Sequence, residues 1–191
     1  MIRNFTEPVA DADSSPGEHG VYVGRLSREK GVHVLLRALK SVGDPPFTIL
    51  GDGPESARLR QLSSELGLVN TNFGGRARAE IVDQVLRRAR FVVLPSVWNE
   101  NAPLAALEAM ARGRPLIVSA VGGLPELVDS GRGWLSEPGD ADDLARNMAF
   151  LQEDDESCRR AGDAALAFAR AELTPERHLT FLEQAYRGVM G

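Results

Sequence analysis

Residues 91–119 read FVVLPSVWNENAPLAALEAMARGRPLIVS, and this stretch decides the fold. Phe91 to Leu94 is a short, wholly apolar run, and Leu116 to Ser119 is apolar as far as Val118. Between them Pro103 to Arg112 carries a helical pattern. A run without polar alternation belongs to a strand covered on both faces, and two such strands joined through a helix pair in parallel. Working outward, the same rhythm recurs. Val21 to Val23, Phe47 to Leu50, Val69 to Phe73 and Gly133 to Leu135 are further strand candidates. Helical patterns cover 27–41, 55–66, 78–89, 141–153, 155–172 and 175–189. Short apolar strands alternating with amphipathic helices predict an α/β fold, a Rossmann-like doubly wound parallel sheet of about six strands with extra C-terminal helices. Residues 1–19, rich in Asp, Ser, Pro and Gly, read as a linker or leader, with the domain proper at 20–173 and a final helix at 174–191.

Composition narrows the function. At 191 residues and 43% apolar content the chain has enough material for one sizeable core. A net charge of −5 argues against nucleic acid or an anionic membrane as the main partner, while leaving nucleotide phosphates open. The single cysteine, Cys158, excludes an internal disulfide framework and reads as an inert thiol on a helix. No apolar run approaches bilayer length and no signal-peptide pattern opens the chain, so the expected location is cytoplasmic. The Asn4-Phe5-Thr6 sequon is read as accidental.

Ligands of such sheets sit outside the carboxyl ends of the strands, and four loops there stand out. Gly24-Arg25-Leu26-Ser27-Arg28-Glu29-Lys30-Gly31 sets Gly24 beside the cations Arg25 and Lys30 near a helix start, either a phosphate clamp or a plain turn with solvated charges. Gly51-Asp52-Gly53-Pro54 demands unusual backbone or close approach; Asp52 is equally a helix cap. In the loop after Leu94, Glu100 and Glu108 stand eight positions apart. Asn101 is a candidate N-cap, with Ala102 or Pro103 opening the helix. Glu108 is expected near a buried stripe of Leu104, Leu107 and Ala111, where an acid needs a partner: ligand hydroxyls or a salt bridge. Gly122-Gly123 before Leu124-Pro125-Glu126 would expose N–H groups to an anion, or is an ordinary glycine pair. Dinucleotide, P-loop and HExxH signatures are missing, and Asp140 and Asp142 read as a helix cap rather than a metal site.

In this order and spacing, Val23-Gly24-Arg25-Leu26 through Lys30-Gly31, Gly51-Asp52-Gly53-Pro54, Pro95-Ser96, Glu100 to Glu108 with Ala109-Met110-Ala111, and Gly122-Gly123-Leu124-Pro125-Glu126 resemble the C-terminal domain of family 4 glycosyltransferases, which have the two-domain GT-B architecture. The resemblance runs from about residue 20 to the C-terminus. It implies retaining transfer from a nucleoside diphosphate sugar, with no metal and no further cofactor. Arg25 and Lys30 would neutralise the leaving diphosphate and Glu100 would orient the transferred sugar; these three form the implied catalytic set. Glu108 would take the ribose hydroxyls, and Gly24, Gly51, Gly53, Gly122, Gly123 and the backbone of Asn101, Ala102, Pro103 and Leu104 would complete the donor site. Where many relatives have Gly-Phe-Gly this chain has Asn101-Ala102-Pro103, so one amide contact is expected to be absent or displaced. On this assignment Glu108→Gln weakens nucleotide binding and Glu100→Gln leaves it nearly intact.

The resemblance also implies a missing N-terminal acceptor domain, which would bring a glycan, lipid or small-molecule acceptor and any peripheral membrane contact. Met1 to Phe5 resembles the segment that crosses between the domains, and Pro175 to Met190 the helix that crosses back, with Leu179, Leu182 and Tyr186 short of cover. Two alternatives stay open: an epimerase of the same architecture, and a module that binds a sugar nucleotide without turning it over. His33 reads as a packing or surface residue, and His19 and His178 offer no evident partners.

Overall fold

The computed structural model describes residues 4–7 and 9–190, with side chains as far as 187. Six strands form one parallel sheet: β1 (His19–Val23), β2 (Phe47–Leu50), β3 (Thr71–Gly75), β4 (Ala89–Leu94), β5 (Leu116–Ser119) and β6 (Gly133–Ser136). They lie in the order β3-β2-β1-β4-β5-β6, so the direction of winding reverses between β1 and β4. Eight helices connect and cover them: α1 (Val32–Ser41), α2 (Ser56–Glu65), α3 (Ala79–Arg88), α4 (Leu104–Met110), α5 (Leu124–Val128), α6 (Ala141–Glu153), α7 (Asp155–Glu172) and α8 (Pro175–Met190). This is the doubly wound α/β sheet that the strand–helix rhythm predicts.

Strand geometry explains why the core runs contain no polar residue. Successive side chains point to opposite faces of a sheet. Phe91 and Val93 pack with α1, α2 and α6 around Leu35, Leu39, Ile49 and Met148. Val92 and Leu94 face the other way, onto α3, α4, α5 and α7 around Leu86, Leu107, Leu127 and Ala165. Cys158 is buried, with its thiol against the carbonyl of Arg90, and burial holds its pKa above the ordinary value.

Among the elements that differ from expectation are the first helix and the third strand. The helix expected from Ser27 to Ser41 is broken: Arg28–Lys30 is a short 3-10 turn, Gly31 takes a φ of 68°, and the α-helix begins at Val32. A Cβ at Gly31 would lie 1.8 Å from the carbonyl oxygen of Pro95, so packing rather than propensity sets the break. The third strand starts two residues late, at Thr71. The Asp44 carboxylate accepts the N–H groups of Val69 (2.7 Å) and Asn70 (2.9 Å), which holds them in a loop, with Val69 exposed.

The described residues before β1 are strapped to the body. Thr6 N–H donates to Leu173, Asp11 pairs with Arg87, and Ser14 bonds Asp163. Arg114, almost completely buried, donates to the carbonyls of Ser15 (2.9 Å), Ala89 (2.8 Å) and Arg112 (2.8 Å). Arg87 and Arg112 converge on Asp83, tying α3 to the end of α4. Met1 to Arg3 of the expected crossing segment lie outside the described residues; Phe5 packs on His178 of α8, ring centroids 5.0 Å apart, so that histidine does have a partner. Leu179 and Tyr186 of α8 are exposed and Leu182 is half-buried. No helix is long and apolar enough to cross a membrane among the described residues.

Candidate functional site

The carboxyl ends of β1, β2 and β4 bring three of the four loops together, and glycines set the spacing. A Cβ at Gly51, whose φ is 142°, would sit 1.8 Å from the Gly24 carbonyl oxygen; one at Gly53 would sit 2.4 Å from that of Leu26. Backbone bonds from Leu26 to Asp52 (3.0 Å) and from Glu55 to Leu26 (2.9 Å) then lock the first loop onto the second. Asp52 ties the turn internally, accepting from Gly53 N–H (2.8 Å) and Ser56 Oγ (2.6 Å). Its hydrogen bonds with Ser56 and then Gly53 lower its pKa. On the other side, Val97 N–H donates to Glu29 (2.9 Å) beside the Gly31–Pro95 contact. The 3-10 turn that carries Lys30 is thereby pressed against the loop that carries Glu100.

Two adjoining cavities result, sharing Val23 and Gly24. The first, about 470 Å³, is bordered by Arg25, Gly51, Asp52, Gly53 and Arg76. The exposed Arg25 guanidinium has no hydrogen-bond or ion-pair partner among the described residues. The second, about 310 Å³, is lined by Tyr22, Lys30, Ser96, Glu100, Pro103 and Leu104. Here Lys30 Nζ lies 2.6 Å from Glu100 Oε1, with side-chain exposures of 27% and 13%. The buried Ser96 hydroxyl donates to the same oxygen. Tyr22 forms the floor and donates its hydroxyl to the carbonyl of Arg25 (2.8 Å). Burial, then the charges of Glu100 and Glu29, raise its pKa above the ordinary value, so it is a neutral donor at any physiological pH. The expected cation pair is therefore divided: Arg25 faces the first cavity, and Lys30 is already paired in the second.

In the fourth loop one of the two glycine amides is engaged within the protein. Gly122 has a φ of 55°, and a Cβ there would lie 2.1 Å from the Glu100 carbonyl oxygen; one on Gly123 would lie 2.5 Å from that of Asn101. Gly123 N–H donates to Glu100 at 2.6 Å. That amide is not offered to an anion. The pair instead lets the 100–101 backbone pass close over it and fixes Glu100 in place.

The start of α4 also departs from expectation. Asn101 is exposed and caps nothing: Pro103 occupies the N-cap position, with no side-chain cap, and the helix opens at Leu104. Proline fits here because its φ of −64° is the one its ring imposes and its ψ of 136° is extended. Its missing N–H therefore falls outside the helical amides. The Ala102 carbonyl accepts a bond from the Asn4 side chain (3.3 Å). Leu104 is exposed, and the buried stripe consists of Ala106, Leu107, Ala109, Met110 and Ala111. Glu108 stands one turn below Leu104, half-buried, its carboxylate without a partner among the described residues, and lines neither cavity. Asp140 does cap a helix, accepting from Asp142 and Asp143 at 2.9 Å each.

Arg76, Tyr22 and the positioning contact of Ser96 were not evident in the sequence. Arg76 lies in the loop after β3, which has no feature in the sequence to set it beside the other four, and the fold brings it to the same edge. Tyr22 looked like core, which by exposure it is. Burial lowers the pKa of both His19 and His33, in His33 with help from nearby Arg37, Arg58 and Arg28.

A six-stranded sheet in this order, with its loops gathered at the switch between β1 and β4, defines the Rossmann-like doubly wound α/β class. More narrowly, the chain belongs to the glycosyl transferases of group 1, whose family model matches residues 17–168, and it has the fold of a GT-B glycosyltransferase C-terminal domain. It is 36% identical over 177 residues to the D-inositol 3-phosphate glycosyltransferase of Corynebacterium jeikeium, covering 86% of this chain and 40% of that enzyme. The structure of sucrose-phosphate synthase from Thermosynechococcus elongatus superposes with a TM-score of 0.84 at 30% identity, over 99% of this chain and 52% of that one. HepE of Anabaena, in complex with UDP-glucose, matches with a TM-score of 0.78 at 28% identity, over 93% of this chain and 50% of that one. The chain thus spans about two fifths of the length of the curated relatives it matches.

Proposed function

We propose that this chain is the donor-binding half of a retaining, family 4 glycosyltransferase, which takes a sugar from a nucleoside diphosphate sugar. The observation that carries the reading is the pair of adjoining cavities at the carboxyl edge, with an unpaired Arg25 in one and Lys30 with Glu100 in the other. Transfer builds negative charge on the leaving phosphate, and preorganised cations lower the energy of that state without proton transfer. Arg25 supplies one directly and Lys30 the other once it parts from Glu100, so the reading calls on no metal. Glu100 accepts from the sugar, and Glu108, one turn along α4 from the cavity-lining Leu104 and with a carboxylate that has no partner among the described residues, accepts from the ribose. The acceptor, a glycan, lipid or small molecule, belongs to a second domain, whose contact with α8 would cover Leu179 and Tyr186. The UDP-glucose complex of HepE supports a sugar nucleotide as donor.

Titration with UDP, GDP and ADP, followed by backbone amide shifts, tests the reading. One of the three is expected to perturb residues 24–31 and 100–108 at millimolar concentration, a binding free energy on the order of −4 kcal/mol. Silence of both segments towards all three nucleotides overturns it.

A further inference from the structure

We infer that the Lys30–Glu100 ion pair makes this site discriminate between an intact sugar nucleotide and the bare nucleoside diphosphate. The inference rests on the nucleotide reading above and departs from what the family resemblance implies for Glu100. Lys30 is not waiting for phosphate. Its ammonium is 2.6 Å from Glu100 Oε1, in a cavity where the carboxylate is 13% exposed. A diphosphate reaching this cavity has to draw Lys30 away from that carboxylate.

Glu100 has little freedom to retreat when this happens. Its carbonyl is held by Gly123 N–H at 2.6 Å, and its backbone lies against a Gly122 that has no room for a Cβ. Its remaining donor is the Ser96 hydroxyl. The Tyr22 hydroxyl proton is committed to Arg25, so the floor of the cavity offers no replacement. Binding of the bare diphosphate therefore leaves a poorly hydrated carboxylate with one neutral donor beside a new anion. That arrangement is unfavourable on both desolvation and charge. The sugar changes the balance. Its hydroxyls carry the donors that Glu100 loses with Lys30, so an intact donor satisfies cation and acid together. Glu100 then acts as a specificity-determining residue that disfavours the spent nucleotide, and Ser96 as a positioning residue that keeps Oε1 turned to the site.

Calorimetry on the 191-residue chain, with UDP, GDP and ADP and their glucose conjugates, tests this, with circular dichroism confirming that each variant is folded. Glu100→Gln keeps the shape and removes the competing charge. It is expected to bind the nucleoside diphosphate about fivefold more tightly than the parent chain, and the sugar nucleotide no more tightly. Ser96→Ala strips the carboxylate of its last neutral donor and is expected to shift diphosphate affinity in the opposite direction; a purely structural role would not produce opposite signs. If the parent binds a diphosphate and Glu100→Gln weakens that binding or leaves it unchanged, the discrimination is overturned while the nucleotide reading stands. If neither chain binds any of the three, the nucleotide reading falls and the inference with it.

Discussion

At the scale of single residues, the site separates groups that are spent on the protein from groups that are free for a ligand. Lys30, Ser96 and Asp52 are engaged, whereas the Arg25 guanidinium and the Glu108 carboxylate have no hydrogen-bond or ion-pair partner among the described residues. Arg25→Ala should therefore leave the melting temperature unchanged, because no protein contact is lost. It should weaken nucleoside diphosphate binding about tenfold, the scale of one charge-assisted contact. Calorimetry beside a thermal melt measures both. A large drop in melting temperature would show that the guanidinium has a structural role. Glu108→Gln should also weaken nucleotide binding, through the ribose. A nucleotide affinity equal to that of the parent would remove Glu108 from the site.

Among elements, packing of loop on loop is what places the groups. Gly31 and Gly139 have similar φ values, 68° and 79°, but a Cβ added to Gly139 would have nothing within 4 Å, whereas one added to Gly31 would collide with Pro95. Gly139→Ala should cost about 1 kcal/mol of backbone strain, and Gly31→Ala about 3 kcal/mol or more, because the loops must separate. Urea denaturation distinguishes them, and equal losses would mean that the Gly31–Pro95 contact does not constrain the site. The junction of α3 and α4 gives a pH dependence. Burial raises the Asp83 pKa, but hydrogen bonds and charges from Arg87 and Arg112 outweigh it and leave the pKa below the ordinary value. A lowered folded pKa means stability that is present above the unfolded value, near 3.8, and is lost as pH falls through the folded one. Stability should decline below about pH 4, and Asp83→Asn should flatten that decline. An unchanged acid limb in the variant would assign the loss to other carboxylates.

For the molecule as a whole, donor and acceptor must be held together with water excluded, and such proximity contributes ~7–11 kcal/mol to lowering a barrier. Both cavities here open to solvent, so charges at their mouths are screened. The 191-residue chain is accordingly expected to bind nucleotide without acceptor-dependent transfer, slow donor hydrolysis at most. Incubation with sugar nucleotides and simple glycan or lipid acceptors, read by mass spectrometry, checks this. Sustained transfer that disappears in Lys30→Ala would make the domain catalytically complete by itself.

The sequence alone determined the parallel sheet, since apolar runs such as Phe91–Leu94 and Leu116–Val118 tolerate no solvent face, and their spacing leaves room for one helix each. It also located the loops of the site, because Gly51-Asp52-Gly53 and Gly122-Gly123 stand where strand ends must be. What it left open were contacts between residues far apart in the chain. The break at Gly31 is set by Pro95, the place of Glu100 by Gly122 and Gly123, and the state of Lys30 by Glu100. Local propensity reports on neighbours within a turn or two, whereas these partners are brought together when the sheet forms. Tertiary structure alone therefore decided that one cation of the expected pair is free and the other already held.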